Sequence, residues 1–454
     1  MPEQILRHIE RRLPRYTSYP TAPHFSATIG AADYRQWLDA VAPKTTVSLY
    51  LHIPFCQQLC WFCGCNTRVV RNAEIIAQYA DRLIDEIDLV ADALPGNLPV
   101  GQVHFGGGSP NMLGAETLAH VMDRIDRRFW LGQDTEVAVE LDPRSTDDAF
   151  IRACAAAGVT RASIGVQDLD PKVQQAINRI QPFDMVAGTM SRLQAAGVGD
   201  INIDLMYGLP HQTADGVRAT VAQVVRLQPT RIALFGYAHV PWMKAHQKLI
   251  DEAWLPGPEE RVQQFDAATA ALIKAGYVPV GMDHFAHPEG PLGRSSADGT
   301  LRRNFQGYTT DRADVLLGFG ASAIGMLPQG YVQNTPDVRA WAQAIEAGAL
   351  PVCRGIALDD DDRLRRAVIE RLMCDMAADF GTIARGLGQA GHDWTAEIEM
   401  LRQLQADGLV DLDGTAVRVR PESRALVRVV AAVFDRYLDR SDKAAATPRH
   451  AVAV

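Results

Sequence analysis

The chain has 454 residues, 47% of them hydrophobic and 22% charged, with a formal net charge of −9. That length supports one large domain and a smaller one, each burying its own core, and the acidic balance argues against a broad basic face for nucleic acid. No stretch approaches the ~20 apolar residues of a membrane span and the N-terminus lacks an apolar signal region, so the expectation is a cytoplasmic protein with neither a membrane nor a nucleic-acid partner.

Residues 1–40 read as an N-terminal arm. From residue 46 short apolar runs alternate with longer amphipathic segments. "TVSLYLHI" (46–53) reads as a strand, 74–94 as a helix, and "GQVHFGGGSP" as a strand and turn. A helix near 115–129 and a strand over 136–143 come next, followed by "TRASIGVQ", "DINIDLMYGLP" and "RIALFGYAHV". At least six βα units between residues 46 and 275 mean a parallel sheet, either open or curled into a full or partial barrel.

Polar and glycine-rich residues gather at the carboxyl ends of these strands. Tyr50 and a cysteine loop follow the first, Gly106 to Ser109 the second, and Glu140 and Asp142 close the third. Gln167 and Asp168 end the fourth, Asp204 and Tyr207 the fifth, Tyr237 and His239 the sixth. In parallel βα folds those ends form the active-site face, so one mouth collecting all these groups is expected. Beyond residue 276 the sheet is expected to finish with long loops. From about 356 the chain reads as helical, with a winged-helix-like pattern of helix, strand, Asp-Gly turn, strand and helix over 395–438. Arg424, Arg428 and Arg436 are expected on the polar face of its last helix (422–438), which makes a DNA-binding regulator the weaker alternative. Residues 441–454 read as a disordered tail.

Seven cysteines are present, and four of them fall in "FCQQLCWFCGCN": Cys56, Cys60, Cys63 and Cys65. The other three, Cys154, Cys353 and Cys374, are scattered among apolar residues and read as small buried hydrophobes, not as a disulfide framework. The C-x3-C-x2-C spacing of Cys56, Cys60 and Cys63 brings three thiolates around one site, and thiolates select zinc, Cu(I) or iron–sulfur clusters. Structural zinc wants four ligands, commonly two separated pairs; here no second pair follows, and no isolated C-x-x-C marks a redox loop. Three thiolates on a four-iron cluster leave one iron open to a molecule bearing an amine and a carboxylate. S-adenosylmethionine (SAM) has both, and an electron passed into its sulfonium yields a 5′-deoxyadenosyl radical. Trp61 and Phe62 would keep such a site dry, or else pack into the core.

These features resemble the radical SAM superfamily. Together with "RYTSYPTA", "YLHIPFC", "CGCN", "HFGGGSP", "ELDPR", "GVQD", "NIDLMYGLP", "YAHVP", "GMDHFA", "NFQGYTT" and "GASAI", they resemble its oxygen-independent coproporphyrinogen III oxidase (dehydrogenase) family over residues 10–440. The resemblance implies an α/β fold, with a partial (β/α) TIM-type barrel in a catalytic domain over 41–355 and a mainly helical, winged-helix-like domain over 356–440. It implies a [4Fe-4S] cluster on Cys56, Cys60 and Cys63, with Cys65 needed for activity without ligating iron. Two SAM molecules are implied. The first would lie against Tyr50, which also ranks as a catalytic candidate, and against Gly107, Glu140, Ala238 and Ile324. The second would contact Phe62, Gly108, Ser109, Gln167, Arg179 and Asp204. Ser109 stands where the family often has threonine.

The implied reaction converts two propionates of coproporphyrinogen III to vinyl groups in haem biosynthesis, in a monomer served by a flavodoxin- or ferredoxin-type electron donor. The related haem chaperone is the alternative, disfavoured by the fourth cysteine and the arm. Arg15, Arg302 and Arg303 are candidate clamps for the substrate carboxylates, because bidentate Arg geometry suits them.

Overall fold

The computed structural model describes residues 7–438. Six strands form its centre: β1 (Val47–Ile53), β2 (Pro99–Gly107), β3 (Trp130–Leu141), β4 (Val159–Gln167), β5 (Asp200–Tyr207) and β6 (Arg231–Gly236). Each pairs in parallel with the next. Helices Ala73–Asp92, Ala115–Arg128, Asp148–Ala156, Phe183–Ala195 and Ala214–Val224 connect them, so all six expected strands are present with ends shifted by a few residues.

Beyond residue 276 the sheet finishes, as expected, with short strands joined by connecting segments. β7 (Val278–Val280) and β8 (His284–Ala286) fold back beside β6, with β8 antiparallel to it. β9 (Val315–Phe319) returns to pair in parallel with β1, and β10 (Ile324–Leu327), β11 (Gly330–Asn334) and β12 (Val352–Ala357) extend that edge antiparallel. The sheet order is β12-β11-β10-β9-β1-β2-β3-β4-β5-β6-β8-β7. Its two outer strands do not pair with each other, so the barrel is partial.

Strand alternation explains which face holds chemistry. Leu49, Leu51 and Ile53 on β1, Val103 and Phe105 on β2, and Ile201, Ile203 and Leu205 on β5 share one buried apolar cluster with the helices. Intervening residues (Tyr50, His52, His104, Glu140, Ser163, Asn202 and Asp204) face the concave side. Helix Ala73–Asp92 shows the matching logic: Asn72 caps it by accepting from Glu74 N, and Ile76, Tyr79, Ala80, Leu83, Ile87 and Val90 form its buried stripe. Each large aliphatic on that stripe contributes about 1.5–3 kcal/mol, and Leu83→Ala would cost about 2–5 kcal/mol.

The winged-helix-like pattern is present. Helices Asp360–Asp375, Phe380–Gly386 and Thr395–Ala406 surround a small sheet in which Ala416–Val419 lies between Ala377–Asp379 and Val410–Asp413. Gly414, at φ +56°, makes the turn of that hairpin. The single amphipathic helix expected over 422–438 is not formed. The segment is instead a short α-helix, Val427–Ala431, flanked by the 3-10 stretches Pro421–Leu426 and Ala432–Phe434, and Leu426 to Phe434 are all buried. "LVRVVAAVF" is apolar on every side, so it is wrapped by protein and has no polar face. Arg428, only 5% exposed, points inward and offers nothing to DNA. The tail expected at 441–454 lies outside the described residues.

Candidate active site

The cysteine loop leaves β1 through the short strand Phe55–Cys56, which pairs with Arg68–Val69. It is pinned against the end of β2: Gly108 N donates to Ile53 O at 2.8 Å and Ser109 N to Phe55 O at 2.8 Å. Glycines at 107 and 108 are required by this approach. A Cβ at Gly107, whose φ is +115°, would stand 2.7 Å from the His52 ring, and one at Gly108 would stand 2.6 Å from Phe55 O. Two further segments hold the loop's carbonyls. Asn178 Nδ2 donates to Leu59 O, Gln247 Nε2 to Phe62 O and Lys244 Nζ to Cys65 O, while His246 Nε2 lies 2.7 Å from Cys63 O. Trp61 and Phe62 pack on Val173, Ile177, Leu209, Tyr237 and Ile250.

All four cysteines of the loop open onto one cavity of about 140 Å³. Phe62, Gly107, Gly108, Ser109, Glu140, Gln167, Arg179 and Asp204 line it too. Twelve of the fifteen expected site residues therefore share one space. Tyr50, Ala238 and Ile324 are not in its lining. Tyr50 lies behind Gly106 with its hydroxyl 3.0 Å from His52 Nδ1, and Ala238 O accepts from Gln247. Ile324 backs onto Gly318, the β9 partner of Tyr50. The single mouth also fails for some strand-end groups. Asp168 turns away to bond Gln212 and Thr220, and Tyr237 bonds His239, which reaches Glu252. Gln167, at φ +67°, is the left-handed residue that separates it from Asp168 at the end of β4.

Electrostatics divide this cavity. Cys60 Sγ receives N–H groups from Arg144 Nη2 and Arg179 Nη1, each at 3.3 Å, and Asp142 braces both guanidiniums. Burial pushes the Cys56 thiol up against hydrogen bonds with Thr67 and Ser109. A hydrogen bond from Cys65 pulls the Cys63 thiol down to about 6. Burial also acts on Glu140, but His104 and the Gly107 N–H outweigh it and hold this carboxyl below the usual range. Asp204 goes the other way: burial and the Glu140 charge raise it to about 6 against hydrogen bonds from Asn202 and Ser163. One cavity thus holds a committed anion and a carboxyl that exchanges its proton near neutrality.

The donor set fits a cluster better than a single ion. Among the described residues no three His, Cys, Asp or Glu side chains converge on one point. In a four-iron cube each thiolate meets a different iron, so its ligands stand apart, and the guanidinium N–H groups on Cys60 complement a cluster's negative charge. Asp142 stands at the mouth where its strand-end position predicts it, but Arg144 was not expected there; an arginine two residues past a strand-end aspartate was the available signal. His52 and His104 left a subtler trace, as polar residues in register with Tyr50 inside apolar strands. Of the candidate clamps, Arg302 is held at the outside by Glu370 and Asp314, away from the cavity.

A family description for the radical SAM superfamily matches residues 50–224. An oxygen-independent coproporphyrinogen III oxidase of Bradyrhizobium diazoefficiens is 48% identical over 430 residues, covering 95% of this chain and 96% of the relative. The protein of that name in Escherichia coli is 39% identical over 428 residues, covering 94% and 93%. The solved structure described as coproporphyrinogen III oxidase (HemN) from Escherichia coli, a radical SAM enzyme, superposes with a TM-score of 0.89 at 37% identity, covering 94% of this chain and 100% of that one. With its cysteine loop, glycine turn and partial barrel in the same arrangement along nearly its whole length, this chain belongs to the oxygen-independent coproporphyrinogen III oxidase family of the radical SAM superfamily.

Proposed function

We propose that the protein carries out the oxygen-independent oxidative decarboxylation of two propionates of coproporphyrinogen III to vinyl groups, giving protoporphyrinogen IX for haem biosynthesis. The observation that carries this reading is the opening of Cys56, Cys60, Cys63 and Cys65 onto one cavity with the Gly107–Gly108 turn and Glu140. The proposed division of the chain assigns this chemistry to residues 41–355, between an arm (1–40) and a C-terminal domain (356–440).

Each vinyl group forms by loss of a hydrogen atom, CO2 and one electron from a propionate whose β-carbon has no acidic proton. When bound, a [4Fe-4S] cluster and SAM supply hydrogen-atom abstraction from such a carbon. In this reading Cys56, Cys60 and Cys63 hold the cluster, and Arg144 and Arg179 stabilise its charge through Cys60. Glu140, kept ionised by His104 and Gly107, accepts from ribose hydroxyls of a first SAM beside Tyr50, Ala238 and Ile324. Phe62, Gly108, Ser109, Gln167, Arg179 and Asp204 receive a second; they line one cavity together with Gly107 and Glu140. Cys65, hydrogen-bonded to Cys63 in the cavity lining, serves turnover without holding iron. A monomer in the cytoplasm, fed by a flavodoxin- or ferredoxin-type donor, completes the proposal; the seven free cysteines fit a reducing compartment. No helix among the described residues is long and apolar enough to cross a membrane.

The test is anaerobic reconstitution followed by SAM, reductant and coproporphyrinogen III, with chromatography of the tetrapyrroles and of 5′-deoxyadenosine. Both protoporphyrinogen IX and 5′-deoxyadenosine are expected. Cys56→Ser, Cys60→Ser and Cys63→Ser should each lose iron, whereas Cys65→Ser should keep iron and lose turnover. Product without 5′-deoxyadenosine, or turnover without iron, would overturn the reading.

A further inference from the structure

Beside the cysteine cavity lies a second concentration of charge. Asp204 of β5, Ala233 of β6 and His284 of β8 occupy one row across the sheet, so the cavity wall continues directly to His284. There the polarity reverses. Arg15 Nη2 donates to Gly236 O at 2.6 Å with its guanidinium 6.0 Å from the Phe235 ring centre. Arg303 stacks 4.3 Å from the Tyr308 ring centre and donates to Arg15 O and Tyr16 O at 3.2 and 3.3 Å. Arg261 stacks on Tyr207 and donates to Tyr237 O at 2.9 Å; Arg428 donates to Leu13 O at 3.1 Å.

Elsewhere buried cations in this barrel meet carboxylates: Arg161 meets Glu136, Arg231 meets Asp200 and Arg144 meets Asp142. Here the hydrogen bonds of the Arg15 and Arg303 guanidiniums run to main-chain carbonyls. Asp283 is the carboxylate at the centre, and it already bonds His284 Nδ1 at 2.8 Å. Neither Arg15 nor Arg303 forms an ion pair among the described residues, and Arg303 Nη1 is buried without a hydrogen-bond partner. The groups also feel one another. Burial lowers Arg428 to about 10, with Arg15 adding to that effect, and His284, Arg303 and Arg15 together hold Asp283 down to about 2 against burial. Holding Arg15 and Arg303 beside one acid that already serves His284 costs stability unless a further anion enters.

We propose that Arg15 and Arg303 form the receptor for the propionate carboxylates of the tetrapyrrole that are not being removed. Tyr207, Phe235 and Tyr308 supply the apolar rim for a flat macrocycle. The receptor rests on the substrate reading above and extends it to residues: it sets the macrocycle beside Asp204 and the cysteine cavity by gripping its far edge. Arg302, turned outward to Glu370 and Asp314, is not part of it.

The experiment uses the reconstituted holoenzyme, with coproporphyrinogen III and its tetramethyl ester as probes under anaerobic conditions. The wild type should bind the acid at least tenfold more tightly than the ester. Arg15→Gln and Arg303→Gln should each raise KM by about tenfold with kcat within about twofold, as loss of uniform binding requires. Arg303→Lys should recover part of the loss, Arg302→Gln should leave KM unchanged, and iron content should be constant throughout. Equal binding of ester and acid by the wild type overturns the receptor, and that comparison needs no variant to fold. Unchanged KM in both glutamine variants overturns it too. If the wild type makes no vinyl product yet prefers acid to ester in an Arg303-dependent way, the receptor stands and the assigned reaction falls.

Discussion

Three glycine-to-alanine substitutions separate backbone strain from steric contact at the cysteine loop. Gly158, at φ +75° with nothing within 4 Å of its would-be Cβ, charges an alanine only for the left-handed backbone, about 1–2 kcal/mol. Gly108 has no positive φ, but its Cβ would meet Phe55 O and Thr67 Oγ1 at 2.6 Å and Ile53 O at 3.0 Å. Ordinary contact begins near 3.4 Å, so the loop must retreat by about 0.8 Å from a backbone that cannot rotate away. Overpacking of that kind costs about 1–3 kcal/mol. Gly107 incurs both penalties, φ +115° and a Cβ 2.7 Å from His52, for about 2–5 kcal/mol together. Because Cys56 follows Phe55 directly, the retreat at Gly108 carries the first cysteine with it. The assay pairs thermal unfolding of the iron-free protein with iron bound after reconstitution. Gly158→Ala should lower the melting temperature and bind full iron, Gly108→Ala should lose iron for a similar melting loss, and Gly107→Ala should be worst on both. Full iron binding by Gly108→Ala at wild-type stability would refute the close apposition of the loop and β2.

Arg179→Gln removes one charged N–H from Cys60 Sγ, so the reconstituted cluster should be harder to reduce, read as a more negative midpoint in an anaerobic redox titration followed by electron paramagnetic resonance. Glu86 is buried in helix Ala73–Asp92, and burial raises its carboxyl to about 7 despite donors from Gly320 N, Asn334 Nδ2 and Trp341 Nε1. A raised carboxyl binds its proton more tightly folded than unfolded, so stability should fall as pH rises from the unfolded value through about 7, by up to about 3 kcal/mol. Glu86→Gln should remove that slope in denaturant titrations at pH 5 and 8, while costing about 1–3 kcal/mol at pH 5 because one amide oxygen cannot serve three donors.

How far the chain could be read in advance follows from where its signals are local. "VSLYLHI" announces both a strand and the inward placement of Tyr50 and His52, because alternation needs no partner to be visible. The cysteine spacing and the glycine run are likewise local, which is why the cluster loop and its turn were legible. The glycines were expected beside a ligand; they also let His52 and Phe55 O approach, a contact between distant segments of the chain that no spacing encodes. The three-residue strands β7 and β8 gave no period long enough to detect. "LVRVVAAVF" carried a helical pattern, yet its short α-helical turn and its burial on every side were set by the neighbours surrounding it.

The arm and the C-terminal segment form one structural unit despite lying at opposite ends of the sequence. Tyr16 donates to Asp435 Oδ2 at 3.0 Å, Arg436 N donates to the Tyr19 hydroxyl at 3.0 Å, and Arg428 reaches Leu13 O. Arg303 ties the same stretch of arm through two carbonyls. Three of these five contacts spend a guanidinium on main-chain oxygen, and a carbonyl is present whatever the residue, so they leave no complementary pattern for sequence reading to find. Their energetic logic is tighter than a set of surface ion pairs. A guanidinium that satisfies part of its hydrogen bonding on a carbonyl keeps its full charge, whereas one paired with a carboxylate is neutralised. Arg15 and Arg303 can therefore fasten the arm over the barrel mouth and still present net positive charge toward an entering anion. Freeing the arm would strip those guanidiniums of their carbonyls, and binding of a polyanion would hold both the arm and the last buried segment in place.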